Sequence, residues 1–117
     1  MSPAVRDPQM LKGILPVLVV ALLTEQESYG YELVTRLQDA GLEDISTGTV
    51  YPVLTRLERE GHISSRLVAS SAGPARKYYL PTPQGAAHLQ QAAAGWRELA
   101  RTVEAVLSRL PRTEEPS

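Results

Sequence analysis

The side chains best suited to binding a polyanion lie in the middle of this sequence. Residues 46–80 contain five basic and two acidic residues, a net charge of +3. Residues 1–45 carry a net charge of −4 and residues 81–117 are neutral, so the chain of 117 residues carries only −1. Clustered Lys and Arg side chains attract phosphate groups, whereas a near-neutral total argues against bulk attraction. We therefore expect a phosphate-bearing partner to be bound locally, by this central segment.

Hydroxyl groups cluster at the beginning of the same segment. Ser46, Thr47, Thr49 and Tyr51 lie in the first turns of a predicted helix, where free backbone N–H groups and the helix dipole favour an anion. These four residues are therefore candidate phosphate contacts. Structural roles compete with this interpretation, because the Ser and Thr hydroxyls could simply cap the helix and the Tyr51 ring could pack beneath the hairpin that follows.

The basic side chains of the segment fall into two groups. Arg56 and Arg59, together with Thr55, lie further along the same helix and are candidates for contacts with DNA. Arg76 and Lys77 follow a turn-rich loop, where two adjacent cations would add charge near a phosphate backbone. The alternative for both helical Arg residues is solvated surface charge, and Arg59 could pair with a neighbouring Glu.

Catalytic and metal-binding chemistry has little support in the composition. Cys is absent and His62 and His88 are the only histidines, which excludes thiol nucleophiles, cysteine zinc sites and histidine clusters. No pair of catalytic groups is spaced convincingly, so we expect no enzyme activity, no metal and no cofactor. The longest apolar run, Val17–Leu23, is shorter than the roughly 18 residues of a membrane span. With no signal peptide either, we expect a cytoplasmic protein without a membrane partner.

Three helices should position the central segment. Apolar periodicity and capping residues predict them over residues 12–24, 28–40 and 46–60. The first is apolar on most sides and begins near Gly13 or bends near Pro16, because a proline inside a helix removes a hydrogen bond. Ser28 is the expected cap of the second helix.

The third helix carries an apolar stripe opposite a polar face. The stripe is predicted to consist of Val50, Val53, Leu54 and Leu57. Pro52 fits the first turn if Thr49 is the cap, whereas a cap at Ser46 or Thr47 requires a distorted opening turn.

A hairpin is predicted directly after the third helix, with strands at residues 62–69 and 76–80. The predicted order is two helices, a turn, a third helix and a hairpin. This is the order of a winged helix–turn–helix, whose third helix enters the DNA major groove. We therefore predict a mainly α fold with a small β-hairpin and a DNA-binding domain at residues 10–81. Residues 1–9 and 111–117 are expected to be a loose end and a flexible tail.

The last predicted helix spans residues 82–110, with Thr82 as cap and Pro83 in the first position. Its apolar residues repeat at alternating steps of three and four: Leu89, Ala92, Trp96, Leu99, Val103, Val106 and Leu110. A heptad repeat of this length favours pairing with another helix over packing within one domain. The apolar first helix also needs a second cover, so we expect a long C-terminal dimerisation helix and a homodimer.

Six short stretches carry a family resemblance. They are Leu11–Gly13, Tyr29–Leu33, Gly48–Leu54, Leu57–Ile63, Gly73–Tyr79 and Thr82–Gly85. In this order they resemble the PadR family of bacterial transcriptional regulators, in its short-chain form. The resemblance implies a homodimer on a pseudo-palindromic DNA operator, usually acting as a repressor, and in some members release by small aromatic or cationic hydrophobic compounds at the dimer interface. Pro16 and Pro81 depart from the family pattern and leave the start of the first helix and the end of the second strand open.

The sequence and the resemblance together predict three sets of functional residues. The predicted DNA contacts are Ser28, Tyr29, Ser46, Thr47, Thr49, Tyr51, Thr55, Arg56, Arg59, Arg76 and Lys77. The predicted dimer interface comprises Leu15, Leu18, Leu22, Leu89, Trp96, Leu99, Val103, Val106 and Leu110. Trp96 either packs within the dimer interface or stacks on a flat ligand. The resemblance implies that the second role is possible, because some members of the family use a Trp on this helix in that way. The predicted partners are double-stranded operator DNA, a second copy of the chain and a small aromatic or hydrophobic effector.

Two other functions stay open at this point. In the first, binding of a flat hydrophobic molecule around Trp96 at the dimer interface is the main role of the protein. In the second, the winged helix binds another protein and has no DNA target.

Overall fold

The computed structural model describes residues 7–111 of the chain. Its elements follow one another as α1 (Pro8–Glu25), β1 (Ser28–Tyr29), α2 (Gly30–Asp39), α3 (Thr47–Arg59), β2 (Ile63–Ser70), β3 (Gly73–Pro81) and α4 (Pro83–Leu107). The strands form an antiparallel sheet in the order β1–β3–β2. The predicted fold, mainly α with a hairpin after the third helix and a long last helix, is confirmed.

The core lies where α1, α2 and α3 meet the sheet. Its buried helical side chains are Leu15, Val19, Val20 and Leu23 of α1, Leu33, Val34 and Leu37 of α2, and Val50, Leu54 and Leu57 of α3. Val53, the fourth residue of the predicted α3 stripe, is half-buried against this core. Removing these apolar side chains from water holds the helices together and leaves the polar face of α3 exposed.

Helix α1 begins earlier than predicted. Asp7 caps it by accepting a hydrogen bond from the Gln9 N–H at 2.8 Å, and Pro8 occupies the first turn. The helix therefore does not start near Gly13 and continues through Pro16, and the predicted loose end is wrong for residues 8 and 9. Residues 1–6 lie outside the described part of the chain. The 18 residues of α1 are long and apolar enough to cross a membrane by length and composition, although its buried side chains pack into the core as those of a soluble domain do.

A short strand, β1, was not expected. Ser28 and Tyr29 pair with Tyr79 and Tyr78 of β3, which places them in the sheet before α2 begins. Ser28 is completely buried and its hydroxyl accepts a hydrogen bond from Arg36 Nη1 at 2.9 Å. The prediction that Ser28 caps the second helix is wrong, because Tyr29 occupies the cap position and makes no side-chain capping bond.

The hairpin is longer than predicted and its turn is tighter. Strands β2 and β3 are eight and nine residues long, and only Ser71 and Ala72 lie between them. Pro81 ends β3 opposite Ile63, a terminal position at which the missing N–H is tolerated. Arg76 and Lys77 consequently lie within β3 and not at the tip of the hairpin.

Helix α4 is anchored at its beginning and projects away from the domain afterwards. Thr82 caps it as predicted, accepting from the Gly85 N–H at 3.0 Å, while its own hydroxyl donates to the Gly61 carbonyl at 2.6 Å. The helix ends at Leu107, short of the predicted Leu110. Pro111 explains the earlier end, because the residue before a proline is disfavoured in helical conformation. Of the predicted tail at 111–117, residues 112–117 lie outside the described part of the chain.

Candidate nucleic-acid interface

An open cavity of about 210 Å³ lies where the beginnings of α2 and α3 meet β3. Its lining includes Tyr29, Tyr51, Arg76 and Lys77, which come from three separate parts of the sequence and were predicted to contact DNA. Tyr31, which the sequence reasoning missed, also lines it and is 62% exposed. The fold thus gathers aromatic, hydroxyl and cationic groups on one surface beside the beginning of α3.

Gly30 makes this arrangement sterically possible. A Cβ atom on Gly30 would lie 2.8 Å from Cε1 of Tyr51, closer than side chains tolerate. The Tyr51 ring therefore rests against the backbone of α2, while 46% of the residue remains exposed. The ring thus packs on α2 and also presents surface to the cavity, and a contact between Tyr51 and DNA stays a prediction.

The first turn of α3 leaves its hydroxyl groups exposed. Ser46 is the cap residue but makes no side-chain capping bond, and its Oγ lies 3.4 Å from Oγ1 of Thr49. The N–H groups of Thr49 and Val50 both bond to the Ser46 carbonyl at 3.1 Å, which is a tightened opening turn. Pro52 therefore lies beyond the first turn, and Thr49 is not the cap.

The cationic side chains have structural partners that the sequence did not reveal. The Arg76 guanidinium lies 4.5 Å from the centre of the Tyr29 ring, a cation–π contact. Lys77 Nζ donates to Oε1 of Glu58 at 2.9 Å. Both residues of this adjacent pair therefore have a structural role in the free protein.

Three of the five basic residues of the central segment are paired with carboxylates. Lys77 pairs with Glu58, Arg66 pairs with Glu27, and Arg56 Nε lies 3.3 Å from Oε2 of Glu60. Arg59 is exposed and, within residues 7–111, has no ion pair, so the alternative of a Glu partner for Arg59 is wrong. Exposed ion pairs contribute only about 0–1 kcal/mol, so they can open when a phosphate approaches.

These pairs also shift the pKa values of their members. Hydrogen bonds from Ser65 and Lys77 lower the pKa of Glu58 below its usual value, and the bond to Glu58 raises the pKa of Lys77. The hydrogen bond from Arg66 lowers the pKa of Glu27 in the same way. Both carboxylates are therefore charged at neutral pH and reduce the free positive charge of the hairpin.

The other predicted DNA contacts are dispersed or inaccessible. Thr49 and Arg56 line a second cavity, of about 530 Å³ between α1 and α3, on the opposite flank of α3 from Tyr51. Thr47 and Thr55 are exposed, and the Thr55 hydroxyl donates to the Tyr51 carbonyl at 3.1 Å. A DNA contact through the Ser28 side chain is wrong, because that residue is fully buried beneath Arg36.

A separate apolar surface runs along α4. Its exposed members are Trp96, Leu99, Val103, Val106, Leu107 and, beyond the helix, Leu110. Leu89, Leu18 and Leu22 pack partly against the core. Leu15 is only 1% exposed within the protomer, so its assignment to a dimer interface is wrong.

The described part of the chain contains no cluster of side chains that could bind a metal ion. The His62 and His88 rings stack with centres 4.5 Å apart, but across residues 7–111 no group of three or more potential ligands could hold a metal ion. The chemistry available at the candidate surface is therefore binding, through cations, hydroxyls and rings.

The family model and the known proteins to which this chain is similar are described as transcriptional regulators. The family model described as "Transcriptional regulator PadR-like family" matches residues 19–91. A transcriptional regulator of Mycobacterium tuberculosis is 38% identical over 79 residues, which cover 68% of this chain and 72% of the relative. A solved PadR-like transcriptional regulator from Bacillus cereus is 40% identical with a TM-score of 0.77, covering 85% of this chain and 96% of the other. A solved PadR family regulator from Eggerthella lenta is 33% identical with a TM-score of 0.79, covering 87% and 88% of the two chains.

Proposed function

Because this chain belongs to the PadR-like family of transcriptional regulators, we propose that it represses transcription as a homodimer bound to a pseudo-palindromic operator. The family acts in DNA-binding regulation and is not a family of enzymes. The observation that carries the proposal is the cavity that collects Tyr29, Tyr51, Arg76 and Lys77 beside the start of α3. Because a transcriptional regulator of this family acts on DNA, we also propose a cytoplasmic location.

In this proposal α3 reads base edges in the major groove while its surroundings hold the DNA backbone. Thr55 and Arg59 lie on the exposed face of α3 opposite its buried stripe, and Arg59 has no ion pair among residues 7–111. The proposed backbone contacts are Tyr29, Ser46, Thr47, Thr49, Tyr51, Arg56, Arg76 and Lys77. Hydroxyls and cations of this kind fix the register of a protein on DNA, whereas groove contacts specify sequence.

The proposed dimer is supported by the apolar surface of α4. Leu99, Val103 and Val106 are 55%, 43% and 49% exposed in the protomer, although they repeat at heptad spacing. An apolar stripe left in water is unfavourable, and pairing with the same stripe of a second copy would cover it. We accordingly propose residues 10–81 as the DNA-binding domain and residues 82–110 as the dimerisation helix.

An effector site at the dimer interface is a further part of the proposal. Trp96 is 50% exposed and follows the small residues at positions 92–95. A flat aromatic or hydrophobic molecule could stack on this ring between two copies. Titration of the single Trp with flat hydrophobic compounds should quench its fluorescence. Unchanged fluorescence over a broad panel would reject the effector site without affecting DNA binding.

The proposal is tested by DNA binding at several salt concentrations. Mobility shifts with the region upstream of the gene should give a complex whose log affinity falls by about 0.9 per log salt for each phosphate contacted. Lys77→Ala should weaken all sequences equally and reduce this slope by about 1.8, because the proposed dimer carries two Lys77 side chains, whereas Arg59→Ala should change the sequence preference. The absence of a complex with any duplex would reject DNA binding and favour a winged helix that binds protein.

A further inference from the structure

Glu58 connects the C-terminal half of α3 to both strands of the hairpin. Its Oε2 accepts from the Ser65 hydroxyl of β2 at 2.5 Å, and its Oε1 accepts from Lys77 Nζ of β3 at 2.9 Å. Glu58 and Lys77 side chains are 31% and 49% exposed, so the pair lies at the edge of the protein and not within it. The Glu58 carboxylate thus fixes the position of the hairpin relative to α3 and forms an ion pair with the Lys77 ammonium.

Lys77 also belongs to the candidate DNA surface. It lines the cavity with Tyr51 and Arg76, and its Nζ lies 5.4 Å from the centre of the Tyr79 ring. The ammonium is a compact charge on a flexible four-carbon stem, so it can leave one anion for another without movement of the backbone. A DNA phosphate beside the cavity would therefore compete with Glu58 for the same ammonium.

We propose that Glu58 is a positioning residue for DNA binding: it holds Lys77 against α3 in the free protein and yields it to a DNA phosphate in the complex. This inference rests on the proposed function, because it needs DNA at the cavity. The exchange breaks an ion pair before a phosphate contact forms. Glu58 consequently weakens binding to duplex DNA of every sequence, and it restores the position of Lys77 after dissociation.

Glu58→Gln separates the two roles of the side chain. The amide oxygen can still accept from Ser65 and keep the hairpin in place, while the charge that holds Lys77 is lost. Glu58→Gln should therefore bind duplex DNA more tightly than the wild type, by about two- to fivefold for each of the two ion pairs that the proposed dimer would otherwise have to break. The salt slope should stay unchanged, because Lys77 contacts a phosphate in both complexes.

A double-mutant cycle tests whether the effect passes through Lys77. In a Lys77→Ala background, Glu58→Gln should lose its gain in affinity, since no ammonium remains to be released. Glu27→Gln is the matched control, because it removes the same charge from a carboxylate that pairs with Arg66, a residue outside the proposed DNA contacts. A gain that persists without Lys77, or an equal gain in Glu27→Gln, would show general repulsion between carboxylates and DNA and overturn the proposal.

A second measurement needs no DNA. The chain contains only two lysines, Lys12 and Lys77, so brief acetylation followed by mass spectrometry reports their relative reactivity in each variant. Glu58→Gln should raise the reactivity of Lys77 several-fold relative to Lys12, and Glu27→Gln should leave the ratio unchanged. An unchanged ratio in Glu58→Gln would overturn the proposed hold on Lys77. A wild-type protein that binds no duplex would instead reject the proposed function, and with it the exchange.

Discussion

Gly85 is the position at which the structure makes its sharpest prediction about stability. A Cβ atom at Gly85 would lie 1.8 Å from the carbonyl oxygen of His62 and 2.7 Å from its carbonyl carbon, where real Cβ atoms are essentially never found within 3.0 Å. Because the contact is with backbone, the first turn of α4 must move by more than an ångström in Gly85→Ala. That movement breaks the contacts that anchor α4, including the hydrogen bond from the Thr82 N–H to the His62 carbonyl at 3.1 Å.

The expected change in the free energy of unfolding of Gly85→Ala is the sum of three contributions. Overpacking costs about 1–3 kcal/mol, and disturbance of the Thr82 cap costs about 1 kcal/mol. Replacing Gly by Ala inside a helix returns about 1 kcal/mol. We therefore expect Gly85→Ala to lower the free energy of unfolding by about 2 kcal/mol, or the melting temperature by about 8 °C in a chain of this length.

Two glycines provide matched controls for this substitution. Gly95 in the same helix and Gly13 in α1 have nothing within 4 Å of an added Cβ atom. Gly95→Ala and Gly13→Ala should each stabilise the protein by up to about 1 kcal/mol, because only the helix propensity changes.

The assay is thermal or urea unfolding followed by circular dichroism. All variants are compared at one protein concentration, since the stability of a dimer depends on concentration. If Gly85→Ala is as stable as Gly95→Ala, the close contact between α4 and the turn after α3 does not exist in solution, and the anchoring argument is refuted.

Three further outcomes are expected. Gly30→Ala displaces the Tyr51 ring, the far end of a flexible side chain, so DNA affinity should fall in mobility shifts while the melting temperature changes little; a large loss of stability would contradict this. The lowered pKa of Glu58 means that its stabilisation is complete at neutral pH and is lost as the pH falls through that pKa, so urea titrations should show the advantage of wild type over Glu58→Gln disappearing in acid. An advantage that does not change with pH would reject the ionic contribution. Leu99→Glu should convert a particle of about twice 12.8 kDa into a monomer in light scattering, because a carboxylate cannot be buried in the seam of α4 without a large penalty; a wild-type monomer would refute the dimer.

The elements that could be predicted were mostly indicated by local patterns in the sequence, namely apolar spacing and capping residues. Helical spacing identified α2 and the buried face of α3, and the Thr82–Pro83 pair identified the start of α4. Asp7–Pro8 carried the same kind of signal for α1, a cap followed by proline, and was overlooked. Strand β1 gave no comparable signal, because two residues are too few to show a period and its pairing with β3 is set by distant chain.

The candidate site depended more strongly on tertiary structure. The sequence indicated which segment carries hydroxyls and cations, since composition along the chain is visible without a fold. It could not show that Ser28 is buried, that Leu15 belongs to the core, or that Glu58 holds Lys77 across nineteen positions. Each of these facts depends on which face an element turns towards a neighbour that is remote in the chain.

The sequence by itself thus determined the order of the four helices and the hairpin, the apolar stripe of α3, the basic central segment and the heptad repeat of the last helix. These are periodicities and compositions within single elements, fixed by the local geometry of the backbone. The tertiary structure alone decided the cavity between α2, α3 and β3, the pairing of the cations, and the close contact at Gly85. Such features arise where separate elements meet, so their physical cause is packing between residues that no local pattern connects.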